Sequence, residues 1–333
     1  MAGGFAFGRA GGLAAAALAS IAAGALRAET DWLRIDGSST LYPLTEAVAE
    51  EFQLWARGRF RVTVAISGTG GGFRRLCRGE ADLVNASRPI RPEEEQACAA
   101  AGVRPLAVPV ALDAVTVVVH PANDWVDCLS VAELRRMWAP EAQGRVTRWS
   151  QLRPKWPDIP LALYGPGPDS GTYDYFTAVV TGKTGASRGD YTASEDDNVL
   201  VLGVSRDPGA LGFFGYPYYA QNRDRLKAVA VRDPETGACL TPSPDNVRTN
   251  RYRPLARPLW LYVDAGALEE REAVRAFLAM YLDPELVLPL AREVGFIPLS
   301  RDAYAKSRSL LRKAGAVPRP GRATEAEAQG RAG

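Results

Sequence analysis

The sequence predicts an α/β fold. Along most of the 333 residues, short apolar runs with strand character alternate with stretches whose apolar residues recur at helical spacing. A content of 47% hydrophobic and 23% charged residues is enough to bury a full core, and it excludes disorder for the body of the chain. In three places a strand-like run is followed at once by a cluster of glycine, serine or threonine and then by a helical pattern.

The first third of the chain contains three predicted strands and two predicted helices. The strands are expected at Leu33–Asp36, Arg61–Ile66 and Asp82–Asn85, which are short runs with apolar residues. The helices are expected at about Pro43–Trp55 and at about Phe73–Arg78. These five elements form the first group of the α/β pattern.

A long apolar segment follows this first group. Residues Ala107–His120 contain two apolar stretches that are separated by Asp113, and a run of this length predicts a crossover strand between two lobes. Strand character returns at Pro258, which predicts a second crossing of the chain. The expected lobes are residues 30–112 together with 256–300, and residues 113–255.

Further elements are predicted between and after the two crossings. A helix is expected at Val131–Trp138, where Ser130 has the position and the chemistry of an N-cap. The other predicted helices are Thr172–Val180, Arg271–Leu282 and Pro284–Val294, the predicted strands are Leu161–Tyr164 and Pro258–Val263, and short elements are expected at Val199–Val204, Leu211–Tyr216 and Leu226–Val231.

Both ends of the chain are predicted to lie outside the fold. Residues 1–28 combine the early charge of Arg9 with an alanine-rich apolar run and a small-x-small cleavage pattern, as in a secretory signal peptide that is cut after Ala25 or Ala28. About 13 apolar residues are too few to cross a bilayer, which argues against a membrane anchor. Residues 314–333 are rich in Pro, Gly, Ala and charged residues and should be disordered.

Export bears on the four cysteines, because an even number in an oxidising compartment favours disulfides. Four cysteines allow three pairings. We expect Cys77–Cys98 and Cys128–Cys239, since each pair then stays within one predicted lobe. No cysteine lies near the cleavage site, so we expect no lipid anchor, and a freely diffusing exported protein implies a periplasm enclosed by an outer membrane.

The three glycine, serine and threonine clusters could together bind an anion. They are Ile35–Pro43, Ile66–Phe73 and Tyr164–Tyr173. The unpaired N–H groups of a first helical turn, the hydroxyl donors and the helix dipole form an anion site that needs no lysine. The second cluster is not a P-loop, because Phe73 and Arg74 follow it where Lys and Ser or Thr are required, and Phe73 also replaces the last glycine of a dinucleotide fingerprint.

A fourth motif, Asp82–Pro89, contains Arg88, which is the only cation within the four motifs. Arg88 follows a predicted buried strand, and its guanidinium is a rigid fork of donors suited to an oxyanion, although a structural ion pair is the alternative role. A net charge of +2 indicates no general nucleic-acid surface. The single histidine, His120, makes a metal cluster or a Ser–His catalytic site hard to build, so neither a metal nor a cofactor is expected.

Several motifs in combination resemble those of the periplasmic phosphate-binding proteins of the Pst-type ABC importer. They are Gly37–Thr40, Ser67–Phe73, Ala86–Pro89 and Ser170–Thr172, with Trp149, Gly212–Tyr216 and Tyr252–Leu255, in the same order over residues 33–300. The resemblance implies a type II periplasmic binding protein fold with two lobes, each a mixed sheet flanked by helices. It also implies a monomeric receptor, not an enzyme, that dehydrates phosphate in its cleft, closes on it and docks on a membrane permease.

Carried over by position, the resemblance implies a ligand set from both lobes. The set is Ser39, Thr40, Leu41, Thr69, Gly70, Arg88, Ser170, Gly171 and Thr172. Much of the family has an aspartate where Arg88 stands and an arginine where Pro166 stands, whereas one branch carries Ser-Arg-Pro as this chain does. The acceptor for the phosphate proton is therefore left open among Asp36, Asp113 and Asp169.

Three alternatives to a phosphate receptor stay open in the sequence. The first is a receptor for another tetrahedral oxyanion such as sulfate. The second is a secreted phosphatase or phosphotransferase with Ser39, Thr69 or Ser170 as nucleophile, although the sequence shows neither a base nor a metal cluster for that chemistry. The third is an extracellular adhesion or matrix role on the same anion-binding fold.

Overall fold

The computed structural model of the protein describes residues 31–253 and 255–313. The predicted signal peptide and the predicted disordered tail both lie outside these ranges. Among the helices of the described residues, none is long and apolar enough to cross a membrane.

Thirteen strands occur in the described part of the chain. In chain order they are β1 Asp31–Gly37, β2 Phe60–Val64, β3 Leu83–Ala86, β4 Pro105–Val119, β5 Cys128–Leu129, β6 Ala162–Gly165, β7 Thr192–Ala193, β8 Ala210–Gly215, β9 Lys227–Ala228, β10 Ala230–Arg232, β11 Cys239–Leu240, β12 Ala256–Asp264 and β13 Ile297–Pro298.

Helices follow most of the strands and cover the sheet. They are α1 Tyr42–Ala56, α2 Gly68–Cys77, α3 Pro92–Ala100, α4 Val131–Trp138, α5 Gly171–Thr181, α6 Asp197–Val204, α7 Tyr216–Gln221, α8 Pro244–Arg248, α9 Ala265–Glu270, α10 Glu272–Tyr281, α11 Pro284–Glu293 and α12 Arg301–Lys313. The Ser130 hydroxyl caps α4 as expected, because it accepts from the Glu133 N–H at 3.2 Å while the Glu133 carboxylate binds the Ser130 N–H.

A mixed sheet of ten strands runs through the molecule. Its order is β2-β1-β3-β12-β4-β8-β6-β7, with β13 and β9 also paired to β4. The β1–β2 and β1–β3 pairs are parallel, whereas β12 is antiparallel to both β3 and β4. Strand β6 is parallel to β7 and β8, and β8 is antiparallel to β4. The predicted α/β class is confirmed, as are the two lobes with helix-flanked mixed sheets.

The fifteen-residue strand β4 belongs to both halves of this sheet. Its residues 105–114 pair with β12, and its residues 115–119 pair with β8. Asp113 of β4 lies opposite Arg257 of β12, close to the point where the pairing changes from one half to the other. The exact lobe boundaries stay a prediction, which this pairing supports.

Each half of the sheet has its own core of large side chains. In the first, Phe52 of α1 packs edge-on against Phe277 of α10, with ring centroids 5.3 Å apart. In the second, Phe213 of β8 stacks on Phe176 of α5 at 3.7 Å and meets the edge of Trp138 at 4.8 Å. Aromatic burial of this size contributes strongly to the stability of each lobe.

Helix α2 begins five residues earlier than expected. The sequence predicts a start at Phe73, because glycine is a poor helix former, but Gly68–Gly72 form the first turns of the helix. The glycines permit close packing instead: a Cβ on Gly72 would lie 2.7 Å from Val84 Cγ1 and 2.8 Å from Gly37 Cα. Contact between the helix and strands β1 and β3 therefore outweighs the weak helix propensity.

Five helices were not predicted: the short α7, α8 and α9 and the longer α3 and α12. Helix α3 buries only Cys98, so it has no apolar stripe in its sequence. Helix α12 packs on β4 partly through polar groups, since the Tyr304 hydroxyl donates to the Val110 carbonyl at 2.8 Å and the Ser307 hydroxyl to the Pro109 carbonyl at 2.9 Å. A hydrophobic periodicity cannot reveal helices that are held in these ways.

The structure forms both predicted disulfides, Cys77–Cys98 and Cys128–Cys239. The first joins the end of α2 to α3 across a sequence separation of 21 residues. The second joins β5 to β11 across 111 residues and closes a separate three-stranded sheet in the order β11-β10-β5. The first bond thus ties α3 to α2, and the second holds the small sheet together.

Removing each disulfide should destabilise the protein according to the length of its loop. We expect the Cys77→Ala/Cys98→Ala variant to lose about 3 kcal/mol of unfolding free energy and the Cys128→Ala/Cys239→Ala variant about 5 kcal/mol, because closing a longer loop removes more entropy from the unfolded chain. Chemical denaturation of the oxidised proteins measures both losses. A larger loss for the shorter loop would contradict the prediction.

Candidate ligand-binding site

The segments that follow β1, β2, β3 and β6 meet where the two lobes contact each other. They bring together hydroxyl side chains that the fold buries, each at most 4% exposed. These are Ser38, Ser39, Thr40, Thr69, Ser87, Ser170 and Thr172. Polar groups withdrawn from water to this degree need hydrogen-bond partners, in the protein or in a ligand.

Predicted site residues from the two lobes contact each other directly. The hydroxyl oxygens of Thr40 and Thr172 lie 2.9 Å apart. The Gly70 N–H, in the first turn of α2, donates to the Asp169 carbonyl at 2.9 Å. All three of the glycine, serine and threonine clusters are therefore brought to one place.

Gly171 begins α5 and faces the first lobe. A Cβ at this position would lie 2.6 Å from Ser87 Oγ, 2.7 Å from Thr69 Oγ1 and 2.9 Å from Arg88 Cγ. The first turn of α5 thus approaches the other lobe more closely than any side chain would allow. The hydroxyls of Thr69 and Ser87, which are 3.2 Å apart, lie directly opposite this turn.

Two other predicted residues use part of their hydrogen-bonding capacity within their own loops. The Ser170 oxygen caps α5, since it accepts from the N–H groups of Thr172 at 3.1 Å and Tyr173 at 3.4 Å. Its own O–H proton stays available as a donor, because both contacts use the oxygen as acceptor. The Leu41 N–H makes a long bond of 3.3 Å to the Ser38 carbonyl.

Arg88 lies between the two lobes and is almost fully paired. Its Nε donates to Asp174 Oδ2 at 2.6 Å, and Nη1 and Nη2 donate to the two Glu94 oxygens at 2.7 and 2.6 Å. Nη1 also donates to the Pro89 carbonyl at 2.9 Å. One Nη2 proton has no acceptor among the described residues, and this nitrogen would lie 3.5 Å from a Cβ on Gly70. Arg88 therefore forms structural ion pairs, and it keeps one further N–H donor at Nη2.

Arg257 is a second buried guanidinium at this place, and the sequence analysis missed it. Its Nε and Nη2 donate to Asp113 Oδ2 at 3.1 and 2.9 Å. Its Nη1 donates to the Ser87 and Gly171 carbonyls at 2.8 and 2.9 Å, and Nη2 donates to Thr172 Oγ1 at 2.6 Å. All five of its N–H groups are thus bound. The signal in the sequence was Asp113, because a charge inside an apolar strand needs a buried partner. That partner, Arg257, lies 144 residues further along the chain.

The three aspartates that the sequence left open as proton acceptors each have a cationic partner. The ion pairs are Asp36–Arg75 at 2.8 Å, Asp113–Arg257 at 2.9 Å and Asp169–Arg74 at 2.7 Å. The arginine beside Asp169 holds the pKa of that carboxyl below its usual range through a direct hydrogen bond. A carboxylate that is already paired is a weaker acceptor for a ligand proton.

Asp197 differs from these three, and sequence reasoning did not single it out. It is the first residue of α6, it is 1% exposed, and neither of its oxygens has a hydrogen-bond partner in the described part of the chain. Burial, and then the negative charge of Asp113, raise its pKa to about 8. In the sequence it looks like an ordinary acidic residue in the first turn of a helix.

The site can bind an oxyanion with hydroxyls, helix N-termini and one guanidinium N–H. No group of three or more His, Cys, Asp or Glu residues able to hold a metal occurs within residues 31–253 and 255–313. Neutral, directed donors drawn from two lobes bind and enclose a small anion. The fold and the site together define a two-lobed solute-binding protein.

Comparison with known proteins agrees with the assignment to the two-lobed solute-binding proteins. Residues 16–285 match the PBP superfamily domain. Protein SphX of Synechococcus elongatus is 49% identical over 277 residues, which cover 83% of this chain and 80% of that protein. The phosphate-binding protein PstS of Staphylococcus saprophyticus is 35% identical over 280 residues, which cover 83% of each chain.

Solved structures show the same likeness. A possible phosphate binding protein from Planctomyces limnophilus is 41% identical, with a TM-score of 0.63, over 86% of this chain and 99% of that one. An ABC-type phosphate transport receptor from Vibrio cholerae shares the fold at 20% identity, with a TM-score of 0.60, over 80% of this chain and 100% of that one. The chain belongs to the PBP superfamily and, within it, to the Pst-type phosphate-binding proteins, which are receptors and not enzymes.

The buried Asp113–Arg257 pair should be essential for stability. Asp113→Asn should lower the free energy of unfolding by roughly 3–5 kcal/mol, because it leaves the Arg257 charge buried without its counter-ion. The control is Glu272→Gln, which breaks the exposed Arg59–Glu272 pair and should cost less than about 1 kcal/mol. Chemical denaturation at pH 7 measures both variants, and equal losses would contradict the prediction.

Proposed function

We propose that this protein binds inorganic phosphate between its two lobes and delivers it to an ABC importer. The observation that carries the proposal is the convergence of buried hydroxyls with the N-termini of α2 and α5, drawn from both lobes, at one contact. Membership of the Pst-type family supports phosphate as the anion. Delivery to a membrane permease follows from the same family resemblance.

The proposed ligand set is the one that the sequence implies. It comprises Ser39, Thr40, Leu41, Thr69, Gly70, Arg88, Ser170, Gly171 and Thr172. The hydroxyls and the backbone N–H groups would replace the water that phosphate loses, and the Gly70 N–H would exchange its bond to the Asp169 carbonyl for one to the anion. Hydrogen bonds to a charged acceptor each contribute about 1.5–3 kcal/mol. Gly171 has no side chain and so allows the two lobes to come close at the site. Arg257 acts as a positioning residue, because its own N–H groups are all bound to protein.

Closure on the anion would be completed by ion pairs between the lobes. Arg88 and Arg91 of the first lobe both pair with Asp174 of α5, and Arg74 pairs with Asp169. The Arg74–Asp169 pair is half exposed and so contributes little by itself, whereas Asp174 is buried. We propose that the lobes, residues 30–112 with 256–300 and residues 113–255, open and close about β4 and β12.

We propose that the protein works outside the cytoplasm. The signal-like residues 1–28 and the two disulfides support export, since disulfides persist in oxidising compartments. We propose a monomeric receptor that diffuses in a periplasm. No nucleic acid and no cofactor enter this proposal.

Calorimetric titration with a panel of oxyanions tests the ligand. Phosphate should bind more tightly than sulfate or any other tetrahedral oxyanion at pH 8. Tighter binding of sulfate would favour the alternative receptor, and turnover of a generic phosphate ester would favour a phosphatase. Absence of binding for every anion in the panel would contradict the proposed function.

Arg88 should matter for affinity more than any exposed arginine nearby. Arg88→Ala should weaken phosphate binding by a factor of about 30 to several thousand, because it removes a buried charge-assisted contact, leaves Glu94 without its cation and leaves Asp174 with Arg91 alone. Arg88→Lys should recover only part, since an ammonium group cannot reproduce the forked geometry. Arg78→Ala, at the exposed end of α2, is the control and should bind as the wild type does. Calorimetry measures the three variants, and near-normal affinity of Arg88→Ala would leave Arg88 with a structural role alone.

Gly171 should be intolerant of a side chain. Gly171→Ala should weaken phosphate binding roughly 10- to 100-fold, because overpacking of this kind costs about 1–3 kcal/mol and would hold α5 away from Thr69 and Ser87. Gly189→Ala is the matched control, since the nearest atom to its Cβ would be Gln143 Oε1 at 3.6 Å. Equal affinities of the two variants for phosphate would contradict the proposed closeness of the lobes.

A further inference from the structure

A second cavity lies beside β4, away from the proposed anion site. It has a volume of about 550 Å³, and part of its lining is apolar, formed by Leu112, Leu288, Pro298 and Leu299. Leu112 precedes Asp113 on β4, and successive residues of a strand point to opposite faces of the sheet. The cavity therefore lies on the other side of the sheet from the Asp113 side chain, and it shares no residue with the proposed phosphate ligand set.

Three arginines from three different helices line this cavity. They are Arg248 at the end of α8, Arg292 in the last turn of α11 and Arg301 at the start of α12. Its lining contains no aspartate and no glutamate among the residues that the structure describes. We call this space the arginine cavity. Three guanidinium groups that cannot lose their protons repel one another, so an anion between them would be favourable.

Two of the three arginines have only exposed partners. Arg248 pairs with Asp245 at 2.5 Å, and Arg301 pairs with Glu285. All four of these side chains are at least half exposed. Ion pairs in such contact with water contribute little to stability, so both guanidinium groups can exchange their carboxylate for a ligand at small cost.

The third arginine has no partner of this kind. The Arg292 guanidinium makes no ion pair and no side-chain hydrogen bond within residues 31–253 and 255–313. Its place in the last turn of α11 suits a cation, because the C-terminal end of a helix is partly negative. That reason accounts for one positive charge on α11, but not for the meeting of three such charges around one apolar space.

The chemistry of the lining indicates the class of ligand. A guanidinium group binds phosphate oxygens with two parallel N–H donors, so three of them suit more than one phosphate group. A cavity of about 550 Å³ has the size of a small-molecule site and is much larger than a single inorganic anion requires. Its apolar residues offer nothing to a phosphate group, but they can cover a flat ring.

We propose that the arginine cavity binds a nucleoside diphosphate. The two phosphate groups bind Arg248, Arg292 and Arg301, and the base packs on the apolar residues beside them. Binding here is independent of the phosphate that the protein holds between its lobes, because the two sites lie on opposite sides of β4 and have no residue in common.

Calorimetric titration of the purified protein with ADP tests this site. Inorganic phosphate is present at a saturating concentration, so that the site between the lobes is already occupied. ADP should bind, pyrophosphate should bind roughly tenfold more weakly because it has no ring to bury, and adenosine should not bind detectably. The affinity for ADP should fall as the salt concentration rises, since the arginines are exposed and therefore screened.

Arg292→Gln is the variant that tests the cavity, and Arg61→Gln is its matched control. Arg61 is also exposed and lies on β2, at the far edge of the main sheet. Arg292→Gln should weaken ADP binding about tenfold, because it removes one charge-assisted contact with a phosphate group, whereas Arg61→Gln should bind ADP as the wild type does. Neither arginine has a partner among the described residues, so both variants should unfold at the wild-type denaturant concentration.

Four results would overturn the assignment of this cavity. They are a wild type that does not bind ADP, equal affinities for ADP and pyrophosphate, an unchanged ADP affinity in Arg292→Gln, and an ADP affinity that is lost in Arg88→Ala, which would place ADP between the lobes. Titration with inorganic phosphate in the absence of ADP tests the proposed function separately. A protein that binds phosphate but not ADP contradicts only the second site, and one that binds ADP but not phosphate contradicts only the proposed function.

Discussion

The buried ion pair between Asp113 and Arg257 is the interaction on which the site depends. It lies at the point where β4 and β12 connect the two halves of the sheet, and its two side chains are 0% and 1% exposed. Arg257 also binds the carbonyls of Ser87 and Gly171, one from each lobe, while Asp113 accepts from the Tyr216 N–H at 3.0 Å. One pair of charges thus sets the positions of a loop in the first lobe and of helix termini in the second. A buried pair of this kind gives little net stability, but the loss of either partner is costly, and so it favours one arrangement of the loops.

The same pair explains why the proposed anion site has so little free positive charge. Arg257 is balanced by Asp113, and Arg88 by Glu94 and Asp174, so neither guanidinium attracts an anion from a distance. Affinity must then come from short, directed hydrogen bonds that form when the lobes meet. Such a site discriminates between ligands by the number and direction of their protons, because each unmatched donor or acceptor is buried without a partner.

Local sequence patterns were enough to predict the elements whose formation depends on local interactions. The alternation of apolar runs and helical spacing located β1, β4, β12, α1 and α4 to within a few residues. The disulfide pairing followed from the division of the chain into lobes, and it is present in the structure. The start of α2 and the helices α3 and α12 were not predictable in this way. Glycines in α2, a single buried residue in α3 and the polar contacts of α12 become favourable only against the surfaces they pack on.

The difference between what the sequence predicts and what the tertiary structure adds is greatest at the candidate site. Which loops carry donors can be read from the sequence alone, because a strand, then glycine with hydroxyl residues, then a helix leaves N–H groups unpaired whatever the rest of the chain does. How the charges are shared depends on the tertiary structure: Arg88 is held by Glu94 and Asp174, Asp113 has Arg257 as its partner, and Asp197 has no hydrogen-bond partner among the described residues. Charges act through space, and the partners are separated by up to 144 residues of chain, so their pairing and their burial exist only after the lobes have formed and met.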